Sequence, residues 1–142
     1  MYETEHSCWY TEHGYEISVH DIKHQLGHHI ANSGKLLISC SSRIVGHKLV
    51  FSSALCLYGM PQEEEQTFVY RRNLSTSKFD NTNQRMFKEA YNALGVALWI
   101  AEDFPQADIE IRIDLSSNDQ AEHFHQTFSQ MIENAGFDFS VP

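Results

Sequence analysis

Three histidines recur at every fourth residue near the start of the chain: His20, His24 and His28. On a helix this spacing puts them on one face, and two imidazoles four residues apart can ligate Zn²⁺ or Ni²⁺. Such a site needs a third ligand, and the nearby Asp21 points elsewhere. Because the histidines lie opposite the apolar positions of the helix, the pattern favours a solvated face over a metal site.

Basic residues in the middle of the chain indicate a different chemistry. Arg43, His47 and Lys48 fall within one short stretch, and Arg71 and Arg72 form the only basic pair. Together they can form one phosphate-binding patch on an otherwise acidic protein. The sequence does not fix whether they share a face, and His47 can equally be an ordinary turn residue.

Other familiar catalytic patterns are absent from the sequence. It contains no glycine-rich phosphate loop, no nucleophile elbow and no Cys-His-Asp arrangement. The three cysteines, Cys8, Cys40 and Cys56, are odd in number and follow no ligand spacing. We interpret them as buried free thiols of an intracellular protein.

Length and charge limit the classes of function. A chain of 142 residues predicts one domain, and a net charge of −9 repels phosphate backbones at long range. Any nucleic-acid binding would therefore depend on a local basic patch or a bound metal. The start of the chain shows no signal peptide, and no stretch reaches membrane-spanning length, so we expect a cytoplasmic protein.

The elements that must position these residues are organised around a hairpin at residues 35–58. Both of its strands are apolar at nearly every position, which predicts central strands covered on both faces. A third strand at 67–72 would complete an antiparallel meander. Before the hairpin, Ser18 and Asp21 form a capping box for a helix that would end at Gly34 as its C′ glycine. Residues 1–17 are expected to be a polar lead-in that packs Trp9 onto the domain.

After the meander, helices and strands alternate. The periodicity predicts a long helix at 81–101, a strand at 108–115, a helix opening at Asp119 and a last strand at 137–141. The whole predicts an α/β domain at 18–142 with a mixed five-stranded sheet, helices packed on it and an extra N-terminal helix. This order of elements is that of ribonuclease H-like folds.

Short motifs add a family resemblance. Residues 82–86, Thr-Asn-Gln-Arg-Met, resemble the opening of the first conserved helix of ribonuclease H. From about residue 18 onward the chain resembles the YkuK-like group of bacterial ribonuclease H-related proteins. The matching segments are the first strand at 39–43, a turn at 46–48, a strand at 70–72, a helix start at Arg85 and Glu89, and a strand end at Asp114.

The resemblance implies two-metal phosphodiester hydrolysis, in which carboxylates hold two Mg²⁺ or Mn²⁺ ions about 4 Å apart. It makes Asp114 and Glu89 the metal ligands and lets His47 contact a phosphate or a metal-bound water. The chain departs from the family at other acidic positions. The first-strand Asp falls on Ser41, and a second helix Glu falls on Gly95; the helix Glu of ribonuclease H itself falls on Phe87.

We therefore expect a catalytically degenerate ribonuclease H-like protein without a cofactor, which binds a protein or nucleic acid through Arg43, Lys48, Arg71 and Arg72. The alternative is a Mg²⁺- or Mn²⁺-dependent nuclease that uses Asp114, Glu89 and His47. It would need a further acid, for instance Glu110 or Asp138, at the same ion. A weaker alternative is an acidic inhibitor that mimics nucleic acid and loses its partner as salt rises.

Overall fold

The computed structural model describes residues 8–61, 63–75, 82–115 and 121–142. This part of the chain forms seven strands and three helices. In chain order they are β1 (Trp9–Thr11), β2 (Glu16–Ile17), α1 (Val19–Ala31), β3 (Lys35–Val45), β4 (Lys48–Tyr58), β5 (Gln66–Ser75), α2 (Thr82–Asp103), β6 (Asp108–Arg112), α3 (Ala121–Asn134) and β7 (Asp138–Ser140).

The strands form one mixed sheet in the order β2-β1-β5-β4-β3-β6-β7. Strands β3, β4 and β5 are the predicted antiparallel meander. Strand β6 lies parallel to β3, and β7 lies parallel to β6 at the edge of the sheet. The mixed α/β architecture predicted from the element order is confirmed.

Two strands were not predicted. Residues 9–11 and 16–17, expected to belong to a loose lead-in, form the hairpin of β1 and β2, and β1 pairs with β5. The sheet therefore has seven strands instead of five. The expected packing of Trp9 is confirmed, since its side chain is fully buried and its ring lies 5.8 Å from Trp99 and 5.3 Å from Tyr70.

The described helices cover one face of the sheet and leave the other face without a helix. Residues of α1, α2 and α3 join one hydrophobic core with alternate residues of β3, β4 and β6. Strand β4 shows the alternation directly, because Leu49, Phe51 and Leu55 are buried while their neighbours are only partly buried. The prediction that the hairpin is covered on both faces is thus wrong. The second face of the hairpin carries smaller or polar residues, such as Ala54 and Ser52, and no described helix packs on it.

Helix α1 begins as predicted and ends differently. Ser18 is its N-cap, and its Oγ accepts a hydrogen bond from the Asp21 backbone N–H at 3.0 Å. At the other end Ser33, not Gly34, has the left-handed backbone, with φ of +62°. Gly34 is required by space, because a Cβ there would lie 2.3 Å from the ring of His29. That buried ring donates from Nε2 to the Lys35 carbonyl at 2.8 Å.

The remaining boundaries differ from the predictions by a few residues. Helix α2 continues to Asp103, and β6 ends at Arg112. The predicted helix start at Asp119 lies outside the described residues. None of the described helices has the length and apolar character needed to span a membrane.

Candidate functional site

A polar cluster lies where β3 passes under α2. In β3, Ser42 faces the helices, and its Oγ donates a hydrogen bond to Glu89 Oε2. Arg85, one helical turn before Glu89, donates to the same Oγ from Nε at 3.2 Å and from Nη2 at 3.1 Å. Its Nη2 also donates to the Ser42 carbonyl at 3.1 Å. We call Ser42, Arg85 and Glu89 the β3–α2 cluster.

Strand alternation and helix periodicity build this cluster. Leu36 and Ile38 point into the core, so the residues that follow at intervals of two, Cys40 and Ser42, point to the same face. On α2, Arg85 and Glu89 are four residues apart and therefore share a face of the helix. Both patterns bring polar side chains to the end of the core.

Burial dominates the electrostatics of Glu89. Desolvation raises the pKa of its carboxyl above the ordinary value, while the Ser42 hydrogen bond and the Arg85 charge oppose the rise. The negative charge of Asp114 adds to it. The exposed Asp114, just beyond the end of β6, is therefore close enough to interact with Glu89.

Polar groups continue from the cluster into the core. Cys40 and Ser53 are cross-strand partners, and Asn92 lies three residues after Glu89 on α2. Burial raises the pKa of the Cys40 thiol to about 12, with the charge of Glu89 contributing. Such a thiol stays protonated and is a poor nucleophile at neutral pH. Asn92 is itself buried, and its Oδ1 has no hydrogen-bond partner.

The three cysteines are free, as predicted, but they are not all buried. Cys8 is exposed, and Cys40 and Cys56 are partly buried. The prediction of burial failed for Cys8 because its residue sits just before β1, outside the core of the sheet.

The serine of β3 that contacts Glu89 is the neighbour of the one that the family resemblance indicated. Ser41, aligned with the family's first-strand Asp, is exposed and lies on the face opposite the helices. Ser42 is the residue of β3 that contacts Glu89. Sequence reasoning missed Ser42, although its parity with Leu36 and Ile38 was a usable signal.

Two predicted catalytic residues come together and the third does not. Glu89 and Asp114 interact, as described above. His47 is exposed in the two-residue turn between β3 and β4, five residues beyond Ser42. Strand β3 continues for three residues after Ser42, about 10 Å at 3.3 Å per residue, and His47 lies beyond that strand end.

The further acids lie elsewhere. Glu110 accepts hydrogen bonds from Arg112 Nη2 at 3.2 Å and from Ser140 Oγ at 2.5 Å. Its register opposite Asp138 puts both carboxylates on the sheet face away from the helices. Neither is positioned beside Glu89.

The predicted basic residues divide between the two faces of the sheet. Arg71 pairs with Ser52, Arg43 with Val50, and Lys48 with Val45, all on the face that no described helix covers. We call this surface the open face. Arg72 instead pairs with the core residue Phe51 and therefore lies on the helix side. The sequence did not show which of these residues share a face of the sheet; the strand register shows it.

The cluster does not match what a pair of Mg²⁺ ions needs. Such a pair takes several carboxylate oxygens, whereas β3 supplies the neutral hydroxyl of Ser42 and α2 adds the guanidinium of Arg85. A fixed positive charge beside Glu89 repels a second cation. Across the described residues, no group of three or more His, Cys, Asp or Glu side chains is arranged to hold a metal ion.

The histidines of α1 are placed on its outer side. His20, His24 and His28 are exposed, and His28 Nε2 lies 3.6 Å from the Glu63 carboxylate. They lie away from the buried positions Ile22 and Leu26, as the sequence predicted for a solvated face.

Comparison with known proteins supports the resemblance drawn from the sequence. A family model described as ribonuclease H-like matches residues 18–142. Neither the curated proteins nor the solved structures give a match. The matched region contains α1, the meander, and the alternating helices and strands that follow, and the mixed α/β architecture is consistent with that family. The chain therefore belongs to the ribonuclease H-like family.

Proposed function

We propose that this protein has lost phosphodiester hydrolysis and acts by binding a protein or nucleic-acid partner. The observation that carries the proposal is the β3–α2 cluster itself. Where metal-dependent hydrolysis needs oxygen anions converging from strand and helix, the neutral hydroxyl of Ser42 donates to Glu89, and Arg85, which donates to Ser42, adds a positive charge nearby. The carboxylate is held by protein groups on the side that faces β3.

The energetics of Glu89 support this assignment. Burial raises the pKa of Glu89 although Ser42 and the Arg85 charge lower it, so the surroundings of this carboxyl in the protein alone disfavour its charged form. Hydrolysis by a two-metal mechanism further requires the ions to hold both the attacking and the leaving oxygen. Glu89 and Asp114 alone supply too few ligands for that arrangement.

The second candidate is a Mg²⁺- or Mn²⁺-dependent nuclease with a rearranged site. One observation favours it, namely the approach of Asp114 to Glu89. A single ion bound by these carboxylates would need Arg85 to move away from Ser42. His47 would contribute only if the substrate extended from the cluster to the hairpin turn.

Cleavage assays separate the two candidates. Labelled single-stranded and duplex RNA and DNA are incubated with the protein in Mg²⁺ or Mn²⁺, with Asp114→Asn as the matched control. We expect the wild-type protein and Asp114→Asn to give the same background. Cleavage by the wild-type protein that disappears in Asp114→Asn would overturn the proposal and establish a rearranged nuclease.

A further inference from the structure

The open face carries its charges unevenly. Arg43, Lys48 and Arg71 are all exposed and lie toward the end of the sheet that contains the β3–β4 turn. The acids Asp108, Glu110 and Asp138 lie toward the other end, where β6 and β7 pair with the first half of β3. One exposed acid, Glu16 of β2, lies on the same face opposite Tyr10. On a protein with net charge −9, this end of the open face is a local region of positive charge.

The register places these three cations in three successive rows, each on a different strand. Arg71 lies in the row of Ser41 and Ser52, Arg43 lies in the next row on the same face, and Lys48 in the row after that. Successive rows on one face are two residues apart, or about 6.6 Å. Because neighbouring strands are also about 4.8 Å apart, the backbone positions of Arg71 and Arg43 are roughly 12 Å apart and those of Arg43 and Lys48 roughly 8 Å. The three cations therefore form a compact group and not a single line.

An aromatic ring stands beside the first cation. The guanidinium of Arg71 lies over the ring of Tyr10, 5.6 Å from its centroid. β1 pairs with β5, and Tyr10 lies opposite Val69, so its side chain is on the open face. Cation–π contact limits the freedom of the arginine, and an aromatic ring offers a surface on which a base can stack.

The sheet surface beside these cations is partly apolar. Val50, Ala54 and Val69 lie on the open face and are partly buried. Flat sheet surfaces with aromatic and basic residues bind single strands whose bases are unstacked from a partner strand. A duplex presents phosphates on a curved surface and hides the base faces.

We propose that the open face binds single-stranded nucleic acid, with Arg43, Lys48 and Arg71 each contacting a phosphate and Tyr10 contacting a base. This rests on the proposed function, since it names the partner class of a protein that acts by binding. The site lies on the opposite side of the sheet from the β3–α2 cluster.

Adjacent arginines give a matched test. Binding of fluorescein-labelled oligouridylate and oligo(dT) is measured by anisotropy at low salt in EDTA, for wild type, Arg43→Glu, Arg71→Glu and Arg72→Glu. Arg72→Glu makes the same change in net charge as Arg71→Glu but lies on the helix side. We expect the open-face variants to weaken binding about tenfold and to reduce the salt slope by about one, and Arg72→Glu to do much less.

Several results would overturn the proposal. These are no binding by the folded wild-type protein at low salt, equal effects of Arg71→Glu and Arg72→Glu, or equally tight binding of duplex DNA or of poly-glutamate. Circular dichroism and the thermal midpoint check that each variant is folded. The assay in EDTA is independent of cleavage, so nuclease activity in Mg²⁺ would contradict the proposed function without altering this result.

Discussion

The side chain and backbone of Ser42 and the charge of Arg85 lower the pKa of Glu89, yet the net effect of its surroundings disfavours its charge. Desolvation outweighs these stabilising effects. Under the proposed loss of hydrolysis, this carboxylate serves packing and hydrogen bonding instead of binding a cation. The proposal for the helix side of the sheet therefore rests on the three side chains of the β3–α2 cluster.

Rebuilding the acidic set tests this interpretation at single residues. Ser42→Asp combined with Arg85→Ala would place a carboxylate on β3 beside Glu89 and Asp114 and remove the fixed cation. We expect this variant to be less stable in EDTA, because like charges approach each other, and to be stabilised by Mn²⁺. Thermal unfolding measures the gain, which is about 2.7 kcal/mol when Mn²⁺ exceeds its Kd a hundredfold.

The control moves the new carboxylate by one residue. Ser41→Asp with Arg85→Ala carries the same composition, but its added acid lies on the open face. It should show no Mn²⁺-dependent rise in thermal midpoint. An equal response of both double variants would mean that the two serines are interchangeable and that the assigned register is wrong.

The raised pKa of Glu89 predicts a pH-dependent effect of Glu89→Gln. Because burial raises the folded pKa above the ordinary 4.5, the ionised group destabilises the fold above its folded pKa. This penalty is lost as pH falls through that pKa. Glutamine keeps an acceptor for Ser42 without the charge, so Glu89→Gln should have the higher thermal midpoint at pH 7 and little advantage at pH 4. The same difference at both pH values would contradict the assignment.

At the scale of elements, two glycines in and just after α1 differ in whether there is space for a side chain. A Cβ at Gly34 would lie 2.3 Å from the buried His29 ring, whereas one at Gly27 would meet Phe104 at an ordinary 3.6 Å. We expect Gly34→Ala to destabilise by roughly 1–3 kcal/mol through overpacking. Gly27→Ala should stabilise by about 0.5–1 kcal/mol as a helix-interior replacement. Urea unfolding of both variants checks the pair, and a neutral Gly34→Ala would refute the close approach.

The elements also show what a sequence can predict. The Ser18 cap was predictable because its partner is three residues away, and the meander because its apolar runs are local. The pairing of Trp9 with Tyr70 was not, because it joins residues far apart in the chain. The choice between Ser41 and Ser42, and the division of Arg71 from Arg72, each required the register and the side on which the helices pack.

For the whole molecule, the hydrophobic core includes a residue that precedes the ribonuclease H-like match. We predicted a domain at 18–142 with Trp9 packed onto it, and Trp9 lies in the common core with residues of α1 and α2. Trp9→Ala should destabilise by about 3–5 kcal/mol, because it removes a fully buried ring stacked on Trp99. Tyr15→Ala, at a ring that is 73% exposed, should change stability by less than about 0.5 kcal/mol. Denaturant unfolding compares them, and equal effects would contradict the role of Trp9.

The two faces of the sheet carry different polar and charged groups. The helix side carries the β3–α2 cluster, and the open face carries Arg43, Lys48 and Arg71. A protein with this layout can keep a ribonuclease H-like core while its contacts with a partner use the other face.

The most direct test of the central claim is a calorimetric titration of Mg²⁺ and of Mn²⁺ into the wild-type protein and Asp114→Asn. Because Ser42 donates to Glu89 and Arg85 adds a positive charge beside it, we predict no saturable binding that distinguishes the two proteins. Stoichiometric binding by the wild type that is abolished in Asp114→Asn would show that Glu89 and Asp114 form a working metal site. The protein would then be a metal-dependent enzyme candidate instead of a binding protein.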